Sequence, residues 1–107
     1  MIIVTTPDIS GMRVVRTLGL VRGSTIRARH IGKDLMALLR NVAGGEIHEY
    51  TKMLAEAREQ AIDRLVEETE ALGGNAVLGL RFQTSTIQQG AAEMLCYGTA
   101  VVVEPED

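Results

Sequence analysis

YTKMLAEAREQAIDRLVEETEALGG, residues 50–74, is the stretch whose reading decides the fold. Tyr50, Met53, Leu54, Ala57, Ala61, Leu65, Val66 and Leu72 recur at helical spacing, with Glu56, Glu59, Asp63, Arg64, Glu67 and Glu70 on the other faces. That period of 3.6 predicts a long amphipathic helix of about six turns. Gly73-Gly74 ends it, because glycine after a helix accepts the left-handed conformation that relieves the terminus. Burying six to eight of its apolar side chains at roughly 1.5–3 kcal/mol each supplies on the order of 10–20 kcal/mol before entropy is subtracted.

On the C-terminal side, residues 76–87 alternate, with Ala76, Leu78, Leu80 and Phe82 on one side and Val77, Gly79, Arg81 and Gln83 on the other. This is the period of a half-buried strand. Gln88-Gln89-Gly90 turns the chain into a last strand over 92–103. There Met94, Cys96, Gly98, Ala100 and Val102 share one face, and Leu95, Tyr97, Thr99, Val101 and Val103 share the other. Both faces are apolar, and one helix covers only one of them. The other needs either a second short helix or a neighbouring subunit.

On the N-terminal side, Ile31, Leu35, Leu38, Leu39 and Val42 predict that short helix over 31–43, ended by Gly44-Gly45. A strand over 2–5 ends at Pro7, Asp8, Ser10 and Gly11, and a second over 13–22, extendable to Arg27, meets a break at Gly23-Ser24. The tail from Glu104 to Asp107 is polar. The order is that of a single α+β domain, residues 1–107, as expected for a chain of 107 residues.

Composition narrows the function. With no Trp, two Tyr and one Phe, there is no stacking platform for single-stranded nucleic acid, and a net charge of −3 does not favour a polyanion. The start Met1 to Val4 is too short for an export signal, and the later apolar runs are far below the ~20 residues of a membrane span, so a cytoplasmic protein without membrane contact is expected. A single cysteine excludes an intrachain disulfide. Charge is uneven: residues 1–40 hold seven bases against two acids, and the remainder four against twelve. Such asymmetry serves an anion site on the basic half or pairing between halves or subunits.

By residue type His30, His48 and Cys96, with Glu46 and Glu49, are the metal-ligand candidates, since imidazole and thiolate suit borderline and soft metals. Their spacing matches no metal motif, and Cys96 sits in an apolar strand where a thiol acts as a small hydrophobe. A Cys96–His nucleophile pair has no local signature. Gly44-Gly45-Glu46 before the long helix lacks the lysine and hydroxyl of a phosphate loop and reads as a tight turn.

Several short stretches together carry a resemblance. They are Thr5-Thr6-Pro7, Gly11, Gly19-Leu20-Val21-Arg22-Gly23, Asp34, Gly44-Gly45, Tyr50, Ala57-Arg58-Glu59-Gln60-Ala61, Leu72-Gly73-Gly74-Asn75-Ala76-Val77-Leu78-Gly79 and Tyr97-Gly98-Thr99-Ala100-Val101. In this order the chain resembles, over nearly its whole length, the small YbjQ-like family, which carries a heavy-metal-binding label. The resemblance implies a dodecin-like, two-layer β-α-β-β unit, one long helix on an antiparallel sheet, assembled into a homopentameric ring. Family members commonly have Asn where this chain has His30, and an Arg-Ser-like pair where it has Glu46-Ile47. The fold and the ring therefore carry over, and a metal site does not. Asp34, Tyr50, Arg58, Glu59 and Tyr97, matching polar residues beside apolar stripes, are the candidate ligand-binding set. The expected function is that of a non-enzymatic homo-oligomer taking a small anion or metal ion at its subunit interfaces. The alternative is an unrecognised small-molecule enzyme with its site there.

Overall fold

Five elements follow one another along the chain: β1 (Ile2–Ile3), β2 (Met12–Ala28), α1 (Ile47–Ala71), β3 (Ala76–Gln88) and β4 (Ala91–Pro105). The computed structural model describes residues 1–28, 47–88 and 91–107, with side chains described for 1–26, 52–85 and 92–107. The short helix expected over 31–43 lies outside the described residues. The β-α-β-β unit is β2, α1, β3 and β4, to which β1 is added. The strands form one sheet in the order β1-β3-β4-β2. β2 and β3 each pair antiparallel with the central β4, and β1 runs parallel to β3. The sheet is therefore mixed, because the N-terminal strand joins the antiparallel core from its edge.

The helix stops as its glycines predict. Gly73 has φ +86°, and its N–H donates to the Glu70 carbonyl at 2.9 Å while the Gly74 N–H donates to that of Thr69 at 2.9 Å. This pair of bonds is the Schellman arrangement. Leu72 falls beyond the helix and is 46% exposed, so the expected apolar stripe ends before it. Ala57, Ala61, Leu65 and Thr69, four residues apart, form the buried line of α1. The Thr69 hydroxyl donates back to the Leu65 carbonyl at 2.8 Å, which satisfies it inside the core. Against this line pack Val21, Val77, Leu80, Met94, Cys96 and Ala100 from the three long strands.

Two details differ from the sequence expectation. Gly23-Ser24 is no break: both residues lie inside β2. A Cβ on Gly23 would lie 1.9 Å from the Ala61 carbonyl oxygen and 2.7 Å from the Leu65 nitrogen, so glycine here sets the close approach of α1 to β2. The alternation of β3 is also interrupted. Its register against β4 slips between Leu78 and Arg81, where Gly79 has φ +65°. The bulge puts Leu80 in the core under α1, while Ala76 and Leu78 face the other side of the sheet.

That other side is partly covered by a segment no periodicity announced. Val4, Ile9 and Met12 pack on Ala76, Leu78, Val101 and Val103 in a second cluster. The segment is held by backbone bonds from Val4 N to Val77 O at 3.0 Å, Leu80 N to Val4 O at 3.0 Å and Gly79 N to Thr6 O at 2.9 Å. Asn75 locks the same end: its amide accepts from Val103 N at 2.8 Å and donates to Val103 O at 2.9 Å. At this end of β4 the N-terminal segment itself supplies cover, which the sequence did not announce.

Candidate functional site

Further along β4 no described residue covers this side of the sheet. Leu95, Tyr97 and Thr99 alternate with Met94, Cys96, Gly98 and Ala100, so they point away from α1. Tyr97 is 36% exposed; on β2 of the same sheet Leu20 is 64% and Ile26 59% exposed. Cross-strand register sets Arg22 on β2 and Arg81 on β3 on either side of Tyr97, in one row across three strands. Directly opposed residues share a face, so both guanidinium groups and the phenol stand on the open side. Arg81 Nη1 donates to the Thr5 carbonyl at 2.9 Å and to that of Leu80 at 2.8 Å, which fixes its stem against the N-terminal segment. Arg22 is exposed and has no hydrogen bond or ion pair among the described residues. Toward the end of the strand, the Ser24 hydroxyl donates to Glu93 Oε2 at 2.9 Å, and Arg64 of the helix donates to the Ser24 carbonyl.

The arrangement can hold an acceptor-rich group. Two permanent cations, the Tyr97 hydroxyl, the Thr99 hydroxyl and the Gln83 amide offer donors, with half-buried Leu95 beside them. No described side chain there has the base-plus-nucleophile geometry that covalent catalysis needs.

The expected site residues distribute as follows. Tyr97 belongs to this open row. Arg58 and Glu59 are exposed on α1, which packs on the opposite side of the sheet, so one chain does not bring them to Tyr97. Tyr50 and His48 lie in the first turn of α1, and their side chains are outside the described residues, as are Asp34 and His30 altogether. Cys96 is fully buried beneath α1, and burial pushes its thiol above the ordinary value. Among the described residues no three His, Cys, Asp or Glu side chains come together as a metal would need, and a buried protonated thiol does not fit a metal centre by itself. Arg22 and Arg81 were not singled out from the sequence. The signal that finds them is pairing register, which two irregularities in β2 and two in β3 conceal.

No helix of the described residues is long and apolar enough to cross a membrane. A family model described as "Putative heavy-metal-binding" matches residues 1–104. A UPF0145 protein of Methanosarcina acetivorans is 57% identical over 103 residues, covering 96% of this chain and 97% of its own. One from Clostridioides difficile is 54% identical over 107 residues, covering 100% and 96%, and one from Pyrococcus horikoshii is 56% identical over 103, covering 96% and 88%. Among solved structures, a protein of unknown function from the DUF74 family of Pediococcus pentosaceus superposes with a TM-score of 0.66 at 18% identity, over 97% of this chain and 98% of that one. That likeness concerns the α+β fold alone. With a family match over nearly its whole length and relatives above half identity, this chain belongs to the YbjQ-like, UPF0145 family.

Proposed function

We propose that this chain is a non-enzymatic binding and assembly module, a homo-oligomer that closes into a pentameric ring in the cytoplasm and takes a small anion or metal ion where subunits meet. One observation carries the reading. The open side of β4 leaves Tyr97, Leu20 and Ile26 substantially exposed around two arginines, more apolar surface than the described residues cover at that end. Apolar area of this kind, rimmed by charge, marks contact surfaces on soluble proteins. Asp34, Tyr50, Arg58, Glu59 and Tyr97 then act as a ligand set only across an interface.

Light scattering and native mass spectrometry of tag-free protein at low micromolar concentration test it. The expected mass is five times the 11.6 kDa chain; a uniform 11.6 kDa species refutes the proposal.

The family description favours a second reading, a metal held by symmetry-related copies of His30 or His48. Metal analysis then falls to background in His30→Ala or His48→Ala and is unchanged in Cys96→Ala. Substoichiometric metal indifferent to all three ends that reading.

A further inference from the structure

The outermost face of α1 and the open face of the sheet are complementary in sign and lie on opposite sides of the same molecule. Glu56, Glu59, Asp63, Glu67 and Glu70 follow at steps of three, four, four and three residues, and all are exposed. At 100° per residue they occupy an arc of about 80°, centred about 180° from the buried line of Ala57, Ala61, Leu65 and Thr69. No base falls between them on that arc, though Lys52 lies on it one turn before Glu56, and none of the five has an ion pair among the described residues, where Arg13–Glu104 is the one such pair. Carboxylates one turn apart repel each other, so the line is held at a cost that a cationic surface would remove.

The open row supplies that surface. Arg22 and Arg81 stand two strand spacings apart, about 10 Å, with Tyr97 between them. A helix is about 10 Å across, so one laid along β4 is flanked by a guanidinium on each side. Carboxylates accept only, and the Tyr97 and Thr99 hydroxyls beneath can donate to them. Within one chain the two surfaces cannot meet, because the sheet lies between them.

We propose that the acidic line of α1 in one copy docks on the Arg22–Tyr97–Arg81 row of the next, giving each sheet a second helical layer. This rests on the oligomeric reading and specifies its contact. The two patches lie on opposite sides of the molecule and cannot both meet one partner, so the contact is head-to-tail and, when closed, forms a ring and not a two-fold dimer. It also brings Glu59 and Tyr97, far apart in a single chain, to one place.

Charge reversal tests it. Arg22→Glu alters an exposed side chain without a described partner, and Glu59→Arg with Asp63→Arg alters only the outer face of α1, so each variant keeps the wild-type circular dichroism spectrum. Each should run at 11.6 kDa by native mass spectrometry, and a chain carrying all three changes should regain the wild-type mass. Arg81→Glu should behave as Arg22→Glu does. Wild-type mass in the single-surface variants, or a triple variant that stays at 11.6 kDa, overturns the docking mode while leaving the oligomer standing. Wild-type protein at 11.6 kDa overturns both.

Discussion

Replacing Gly23 by alanine adds one methyl group at the point where α1 rests on β2. The new Cβ would lie 1.9 Å from the Ala61 carbonyl oxygen, whereas ordinary contact begins at 3.4 Å, so the two backbones must separate by about 1.5 Å. Both clashing atoms, Ala61 O and Leu65 N, are backbone, and no rotamer change relieves them. Opening a gap of 0.5–1 Å along a packed seam already forfeits roughly a quarter to a half of the dispersion energy there. The seam includes Val21, Ala57, Ala61 and Leu65. Overpacking a core costs about 1–3 kcal/mol when side chains can adjust. With only backbone to move, Gly23→Ala should cost at least about 3 kcal/mol, offset by under 1 kcal/mol from the stiffer unfolded chain. Urea denaturation followed by circular dichroism at fixed protein concentration should show the midpoint falling by at least about 0.7 M, given slopes of about 1–3 kcal/mol per M. Gly19→Ala is the comparison: nothing lies within 4 Å of its Cβ, and only φ +116° opposes it, at about 1–3 kcal/mol. Ala61→Gly should not rescue Gly23→Ala, since the obstructing atom is a carbonyl oxygen. A Gly23→Ala midpoint within 0.3 M of wild type, or rescue by Ala61→Gly, would refute the reasoning.

The Thr25 hydroxyl is buried with no hydrogen-bond partner among the described residues, so Thr25→Val should raise stability by about 1 kcal/mol; a loss in the thermal melt contradicts the orphaned state. Asn75→Ala removes both amide bonds to Val103 and should lose about 2 kcal/mol, whereas Asn75→Asp keeps only the accepting half and should not restore the loss. Burial raises the Cys96 thiol, so the folded state holds its proton at pH values where the unfolded chain releases it. Stability from this source is complete below about pH 8.5 and declines as pH rises above it, and Cys96→Ala should flatten that alkaline decline in urea titrations. If the decline is equally steep in Cys96→Ala, other groups cause it.

Periodicity made α1 and the three long strands legible, because Ala57, Ala61 and Leu65 at helical spacing, and Met94 to Val102 in alternation, each record which side is buried. What it could not record is a change of phase. Gly79 inserts one residue and moves Leu80 to the opposite side from Leu78, so two leucines that look equivalent in the sequence belong to different clusters. Gly23 was visible as a glycine but not as the floor of a helix contact, since that depends on Ala61 across the core. Val4, Ile9 and Met12 have no regular spacing, and only the fold reveals that they cover Val101 and Val103. The pairing of Arg22 and Arg81 about Tyr97 is likewise a property of register, and the arginines come from strands nearly sixty positions apart. Tyr97 itself was found through family resemblance rather than through chemistry.

β2 ends the sheet, and a long terminal strand is a template on which further chains can crystallise into fibrils. Its two register slips, at Val14/Arg16 and Thr17/Gly19, spoil that template by breaking the even ladder of outward amides. Such irregularities act as a brake on runaway polymerisation in a chain rich in branched aliphatic residues. Straightening that ribbon would be expected to trade a defined particle for an insoluble one.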